Sequence, residues 1–303
     1  MAQTITIQST KGGVGKTTKA FNLASLLADL GYAVLAIDAD PQGSLSKAFN
    51  CATHGKQAPM GLIEMLHFGE LTNDMISNTA FNNLDVVESN AFQDRHEIEL
   101  SARGDRFYRI KRALKSQASE KYDVIIIDSK GAIGALQDAA TVASDIILTP
   151  VAPDVLSARE YLSGSERMIQ NLKEAVDMGL APMPKILAFL NKMERTVNAK
   201  SVADGVLSES RSKLGQINVL TSRIPHSKAY TEAMTLGIPV HIHEFVHAGK
   251  QMSAYLAMHR LVWEIFPSLQ GVFATNQGKI SVSDIERHYG NWLEDVQQGG
   301  ADE

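Results

Sequence analysis

The chain opens with a change of hydrophobic period. Thr4-Ile5-Thr6-Ile7 alternates polar and apolar positions in a β-branched run, the pattern of a strand. Over residues 17–30 the apolar positions Ala20, Leu23, Ala24, Leu27 and Leu30 recur at helical spacing, and Gly31 follows as a stop. Residues 33–37 form a nearly continuous apolar stretch, as expected where both faces of a parallel sheet are covered. Short apolar runs return at residues 124–127, 146–148 and 186–190, separated by segments suited to helices. This alternation predicts an α/β fold: a doubly wound, mostly parallel sheet with helices on both faces and ligands at the carboxyl ends of its strands. Residues 44–105 give a poorer pattern, rich in Asn, Gly and His, with patches such as Leu84-Asp85-Val86-Val87. Near the end of the chain Ile285, Tyr289, Trp292, Leu293 and Val296 share one helical face, with Ser283 and Glu286 spaced as a capping box. The organisation expected is one α/β domain over residues 1–266 and an acidic, helix-bearing extension over 267–303.

Composition narrows the class. With 303 residues and 44% hydrophobic content the chain can bury one substantial core, and it shows no internal repeat. A net charge of −5 excludes a protein that coats nucleic acid over its whole surface, so any DNA contact is local. The charge is segregated: residues 185–228 hold eight basic side chains against three acids, a net +5, and residues 103–121 hold seven against two, also +5. Residues 267–303 are net −4. The first residues lack a basic signal-peptide region and no run approaches the ~20 apolar residues of a membrane span, so a cytoplasmic protein is expected. Cys51, the single cysteine, cannot form an intramolecular disulfide or a protein-only cysteine metal site, and reads as a small apolar residue.

The chemistry concentrates in Lys11-Gly12-Gly13-Val14-Gly15-Lys16-Thr17-Thr18, between the first strand and the first helix. Glycines let backbone N–H groups curl around anionic oxygens, and a helix N-terminus adds partial positive charge. Lys16 would neutralise β/γ-phosphate oxygens of ATP, and the Thr17 hydroxyl would ligate Mg²⁺. The general pattern G-x-x-x-x-G-K-[ST] fails at its first glycine, where Thr10 stands, and an additional lysine, Lys11, is present. This motif resembles the deviant Walker A signature of the ParA/MinD family of P-loop ATPases, closest to the ParA/Soj-type DNA partition ATPases. The resemblance extends over roughly residues 3–245, weakly between 44 and 122.

The resemblance implies that Lys11 reaches across a homodimer to phosphates bound by the other subunit, with ATP as the glue. Asp38-Ala39-Asp40-Pro41-Gln42-Gly43 resembles the family's switch segment, in which Asp40 lies near the attacking water and Asp38 supports the metal and the loop. Residues 124–128, an apolar strand ending in Asp128, have the Walker B layout, with Asp128 holding Mg²⁺. Relatives usually continue with D-x-P. This chain reads Asp128-Ser129-Lys130-Gly131, and the Lys130 ammonium either faces the γ-phosphate or is solvated. Thr149-Pro150-Val151-Ala152-Pro153 resembles a rigid loop near the dimer face. Asn191 matches the position that reads the adenine edge, and Ile224-Pro225-His226, Glu232-Ala233 and Gly237-Ile238-Pro239-Val240 resemble a block whose proline packs on adenine. His226 stands there in place of the family's arginine.

In DNA-partitioning relatives two ATP-joined subunits present basic side chains to nonspecific DNA, with a ParB-like partner. The candidates here are Arg195, Lys200, Arg211, Lys213, Arg223 and Lys228, and a second basic face is expected from Arg106, Arg109, Arg112 and Lys115 on one amphipathic helix. MinD-type relatives end in a basic membrane helix, whereas the polar face of this C-terminal helix is acidic, so a packed or partner-docking helix is expected and no membrane partner. A lone Cys51 does not suit the cluster-bearing reductase branch. An operator-reading domain is not expected, because the chain starts directly at the first strand. Two alternatives to a DNA partition ATPase stay open: an ATP-gated adaptor with little hydrolysis, and a MinD-like positioning protein.

Overall fold

The apolar runs become the middle of the sheet. The computed structural model describes residues 2–90, 93–131, 134–213 and 215–297, the side chains of 207, 211–213 and 291–297 excepted. In chain order its elements begin β1 (Gln3–Ile7), α1 (Lys16–Asp29), β2 (Val34–Ala39), α2 (Ser44–Phe49), α3 (Cys51–His54), α4 (Leu62–Phe68), β3 (Ser77–Asn78), β4 (Leu84–Val87), α5 (Asp94–Ser101) and α6 (Arg109–Ala113). They continue with β5 (Val124–Ser129), α7 (Ala135–Ala143), β6 (Ile146–Val151), α8 (Val155–Asp177), β7 (Lys185–Met193) and α9 (Val197–Lys213). The last are β8 (Ile217–Pro225), α10 (Ala229–Leu236), α11 (Val240–His243), α12 (Ala254–Ile265) and α13 (Val282–Gln297).

Eight strands pair in the order β3-β4-β2-β5-β1-β6-β7-β8, all parallel except β3, which runs antiparallel to β4 at the edge. This is the doubly wound sheet expected from the β/α alternation. Successive residues of β5 face opposite layers: Ile126 belongs to the core layer that also holds Phe21 and Leu27 of α1 and Tyr255 and Val262 of α12. Ile125 and Ile127 pack with residues of α4, α6 and α7, while α8 and α9 cover β6 and β7 around Ile147 and Ile186. Cys51 is buried in the first layer, and burial, with Glu88 and Asp85 nearby, pushes its thiol up to about 12.

Two local expectations change. Helix α13 starts at Val282, and Ser281 Oγ accepts from the Asp284 amide at 3.1 Å. The cap therefore falls two residues before the expected Ser283/Glu286 pair, because a hydroxyl just ahead of the first turn reaches the third helical amide. Ile285 and Tyr289 of this helix are buried, the Tyr289 ring stacking on Tyr255 at 5.5 Å and its hydroxyl lying 2.8 Å from Ser253 Oγ. Trp292, Leu293 and Val296 lie outside the described side chains. Among the described residues no helix is long and apolar enough to cross a membrane.

The expected basic helix over Arg106 to Lys115 is instead a 3₁₀ turn, Arg106–Tyr108, followed by the short α6. Arg109 is 3% exposed: it donates to Leu66 O at 2.9 Å and to His67 O, and pairs with Asp105 at 2.9 Å. Its guanidinium supplies donors to the open carbonyls at the end of α4, so it belongs to the interior rather than to a basic outer face.

Candidate functional site

The chain leaves the sheet at Ile7 and resumes regular structure at Lys16, so residues 8–15 form a loop at the carboxyl end of β1. The end of β7 clamps this loop: Asn191 donates to Val14 O at 2.7 Å and Lys192 to Gly13 O at 2.6 Å. Gly15 has φ +93°, and a Cβ there would lie 2.7 Å from Asn191 Nδ2, so glycine alone fits. Thr10, in place of the usual first glycine, docks on α8: its hydroxyl donates to Glu160 O at 3.2 Å. A Cβ on Gly164 would sit 2.1 Å from that hydroxyl, so the Thr10 departure is matched by a glycine in the facing helix.

The loop frames a cavity of about 530 Å³. Gly12, Gly13, Gly15, Lys16, Thr17, Thr18 and Lys19 line it from the loop and α1, Asp40 and Gly131 from the ends of β2 and β5, and Asn191, Lys192, Pro225, His226 and Tyr230 from the far wall. Val14 is buried behind the loop. Lys16 is 8% exposed, and burial lowers its pKa against the pull of Asp128 and Asp40. A Cβ on Gly131 would lie 2.8 Å from Lys16 Nζ, so the segment after β5 passes close over this ammonium.

Asp38 and Asp128 are register partners on β2 and β5, both fully buried. Asp38 is engaged with the loop: Ser46 donates to its Oδ2 through the amide (2.8 Å) and the hydroxyl (2.7 Å), and the Asp40 amide lies 3.3 Å from Oδ1. Burial raises its pKa to about 6, against those hydrogen bonds. Neither oxygen of Asp128 has a hydrogen-bond partner of good geometry among the described residues, although the Thr17 hydroxyl is near enough to act on its titration. Burial first, and then Asp38, raise the Asp128 pKa well above the usual carboxylate range. A hard cation beside Thr17 would relieve both the orphaned oxygens and the like-charge contact, so these side chains fit Mg²⁺. Asp40 Oδ1 accepts from the Gln42 amide at 2.9 Å at the cavity edge.

Lys11 does not line the cavity. Its ammonium donates to Ser157 Oγ at 2.7 Å and lies 3.3 Å from Asp154 Oδ1, at the N-terminus of α8. Lys130 is 26% exposed, its ammonium 3.9 Å from Glu97 of α5. Among the cavity residues that the motif reading did not name are Lys19 and Tyr230. Lys19 is 2% exposed and sits with its ammonium 3.6 Å from the centre of the Tyr230 ring. Its spacing from Lys16, one turn of the same helix face, was the available signal.

Of the DNA candidates, Lys200 and Lys228 are exposed, Arg195 is exposed with one guanidinium nitrogen on Lys250 O, and Arg223 is half-exposed, 3.9 Å from Asp204. The side chains of Arg211 and Lys213 lie outside the description.

The profile of a family described as an AAA domain matches residues 2–181. The chromosome partitioning protein ParA of Caulobacter vibrioides is 30% identical over 259 residues, 85% of this chain and 92% of that protein. The sporulation initiation inhibitor protein Soj of Bacillus subtilis is 31% identical over 262 residues, 85% and 97% of the two chains. Among solved structures, apo McdA from Cyanothece superposes with a TM-score of 0.67 at 24% identity, covering 79% of this chain and 92% of that one. The septum site-determining protein MinD from Pyrococcus horikoshii, complexed with Mg-ADP, does so with 0.65 at 23% identity, covering 90% and 98%. These two likenesses speak for the fold.

Proposed function

The chain belongs to the ParA/MinD family of P-loop ATPases, and from that premise we propose a cytoplasmic protein that dimerises on ATP, binds nonspecific DNA in that state, and segregates or positions a plasmid or other DNA element with a ParB-like partner. Residues 1–266 are read as the ATPase domain and 267–303 as an extension. The observation that carries the nucleotide half is the orphaned Asp128 carboxylate beside Thr17 and the buried Lys16. In this reading the loop amides and Lys16 grip the β- and γ-phosphates, Thr17 and Asp128 hold Mg²⁺ with Asp38 steadying the loop behind them, and Asn191 and Pro225 bound the base. Bound Mg²⁺ supplies charge neutralisation between phosphate oxygens.

Asp40 accepts a hydrogen bond from the attacking water. Its Oδ1 accepts from the Gln42 amide in the free protomer, which orients the carboxylate and leaves its other oxygen to accept from water; turnover is read as slow and stimulated by DNA and partner. Lys11 exchanges Ser157 and Asp154 for the phosphates of a second subunit, because two polyphosphates facing each other repel unless cations intervene.

The DNA half rests on the net +5 of residues 185–228 and the exposure of Arg195, Lys200, Arg223 and Lys228. Retention on nonspecific duplex is to be measured with ATP, ADP and no nucleotide across a salt series. ATP should raise retention, and each Ala replacement of Arg195, Arg223 or Lys228 should lower the salt slope by about one. Binding that ignores nucleotide contradicts the switch, and ATP-dependent dimers that neither bind DNA nor turn over favour the adaptor reading.

A further inference from the structure

The switch segment after β2 is held in place by the stretch of chain that follows it. Residues 40–43 form a turn in which the Gly43 amide donates to Asp40 O at 2.9 Å and the Gln42 amide to Asp40 Oδ1. Ser89, two residues past β4 and 2% exposed, donates its hydroxyl to the same Asp40 O at 2.8 Å. The Ser89 amide donates at 3.0 Å to Ser46 Oγ, the hydroxyl that itself donates to Asp38 Oδ2. One residue thus reaches both carboxylate-bearing positions of Asp38-Ala39-Asp40: Asp40 directly, and Asp38 through Ser46.

The support of Ser89 is itself over-determined, because α4 binds the chain on either side of it. The Leu62 amide donates to Glu88 O at 2.9 Å and the Ile63 amide to Asn90 Oδ1 at 3.0 Å, while Asn90 Nδ2 donates to Glu64 Oε2 at 2.7 Å. Asn90 has φ +36°, a left-handed conformation that asparagine tolerates and that these bonds maintain. A Cβ on Gly61 would lie 2.5 Å from Glu88 O, so a glycine stands where α4 meets this strand end. On the switch side Gly43 has φ +61°, and the Ser89 Cβ lies 3.8 Å from where its own Cβ would be. A hydroxyl anchored in this way fixes the Asp40 backbone against the cavity that Asp40 lines.

Resting on the reading of Asp40 as the group that orients the attacking water, we propose that Ser89 is a positioning residue for ATP hydrolysis: its hydroxyl holds the Asp40 backbone, and its amide, through Ser46, ties that hold to Asp38. Ser89 does not line the cavity, so it acts on the chemical step through Asp40 and leaves the phosphate grip of Lys16 intact.

The test compares wild type, Ser89→Ala, Ser89→Thr, Ser46→Ala and Asp40→Ala by Mg·ATP turnover and, without nucleotide, by amide hydrogen exchange. Ser89→Ala should lower kcat by about threefold to tenfold, the scale of one neutral hydrogen bond, with KM within about twofold of wild type. Ser89→Thr keeps the hydroxyl and should stay within about twofold of wild type in kcat. Exchange at the Gln42 and Gly43 amides should quicken by about threefold to tenfold in Ser89→Ala, and also in Ser46→Ala, which cuts the link to Asp38. Added to Asp40→Ala, Ser89→Ala should lower turnover no further, since it acts through the carboxylate already removed. Unchanged exchange in Ser89→Ala, an unchanged kcat beside a slowed Asp40→Ala, a loss carried by KM alone, or a Ser89→Thr protein as slow as Ser89→Ala overturns the inference. Wild-type turnover in Asp40→Ala, or no turnover in wild type, counts instead against the reading of Asp40, and the exchange measurement then still decides whether Ser89 holds the switch.

Discussion

His259 in α12 and Asp128 at the end of β5 are both completely buried, and their surroundings treat them in opposite ways. The Ala274 amide donates to His259 Nε2 at 2.9 Å, which puts the ring proton on Nδ1, where it meets Tyr255 O at 2.7 Å. Around it the Tyr255 hydroxyl donates to Ala274 O, Trp263 Nε1 to Val272 O, and Tyr289 to Phe245 O. Among the described residues of this side His241 is an exception, its Nε2 3.4 Å from Asp29 without good hydrogen-bond geometry, and the Ser25 hydroxyl is another. The Asp128 carboxylate and the Tyr230 hydroxyl lack such partners, Asp128 beside Thr17 of the cavity wall and Tyr230 in the wall itself. A buried polar group costs free energy unless it is paired, so paired groups belong to the scaffold and unpaired ones at a cavity mark where a ligand completes the structure.

That contrast can be broken by substitution. Asp128→Asn should lower ATP turnover by about a hundredfold or more, the scale seen when one transition-state contact is lost. The same variant should melt higher than wild type without nucleotide, because a neutral amide costs less to bury than an unpaired carboxylate. Tyr255→Ala should do the reverse, destabilising the protein by about 3–5 kcal/mol while leaving the Mg·ATP affinity of the remaining folded fraction unchanged. Chemical denaturation and nucleotide titration on the two variants read both effects, and a Tyr255→Ala protein with wild-type stability would contradict the scaffold assignment.

A smaller effect comes from pH. Burial, outweighing the hydrogen bond to Tyr255 O, pushes the His259 pKa down to about 3 from an ordinary 6.5. The folded state then binds fewer protons than the unfolded one between those values, so His259 contributes full stability above pH 6.5 and loses it as pH falls towards 3. The slope is at most about 1.4 kcal/mol per pH unit, or about 2 kcal/mol by pH 5. Burial of Asp38 and Asp128 raises their pKa values and works in the opposite direction over this range, so the His259 share is read by difference: from pH 7.5 to 5 the stability of wild type relative to His259→Gln should fall by about 2 kcal/mol.

The sequence showed some of this architecture and hid the rest for identifiable reasons. Strands β1, β2, β5, β6 and β7 are covered on both faces, so their apolar runs were visible. Strand β8 is an edge strand whose Asn218, Thr221 and Arg223 interrupt the pattern, and β3 has two residues. Lys16, Thr17, Asp40 and Asp128 stood out because their motifs are local. Lys19 acquires its meaning from Tyr230, and Arg109 from the carboxyl end of α4, contacts that no local spacing encodes. For the same reason the cap of α13 was placed on Ser283: two serines fit the pattern, and the start of the helix selects Ser281.

Mg·ATP should complete the polar groups left open around residues 11–19. Calorimetric titration of Mg·ATP into wild type and Lys16→Ala tests it most directly. The expected result is saturable binding at one site per protomer in wild type, weakened by at least about a hundredfold in Lys16→Ala, since a buried cation facing the phosphates is removed. Equal affinity in the two proteins, or no binding to wild type, would contradict it.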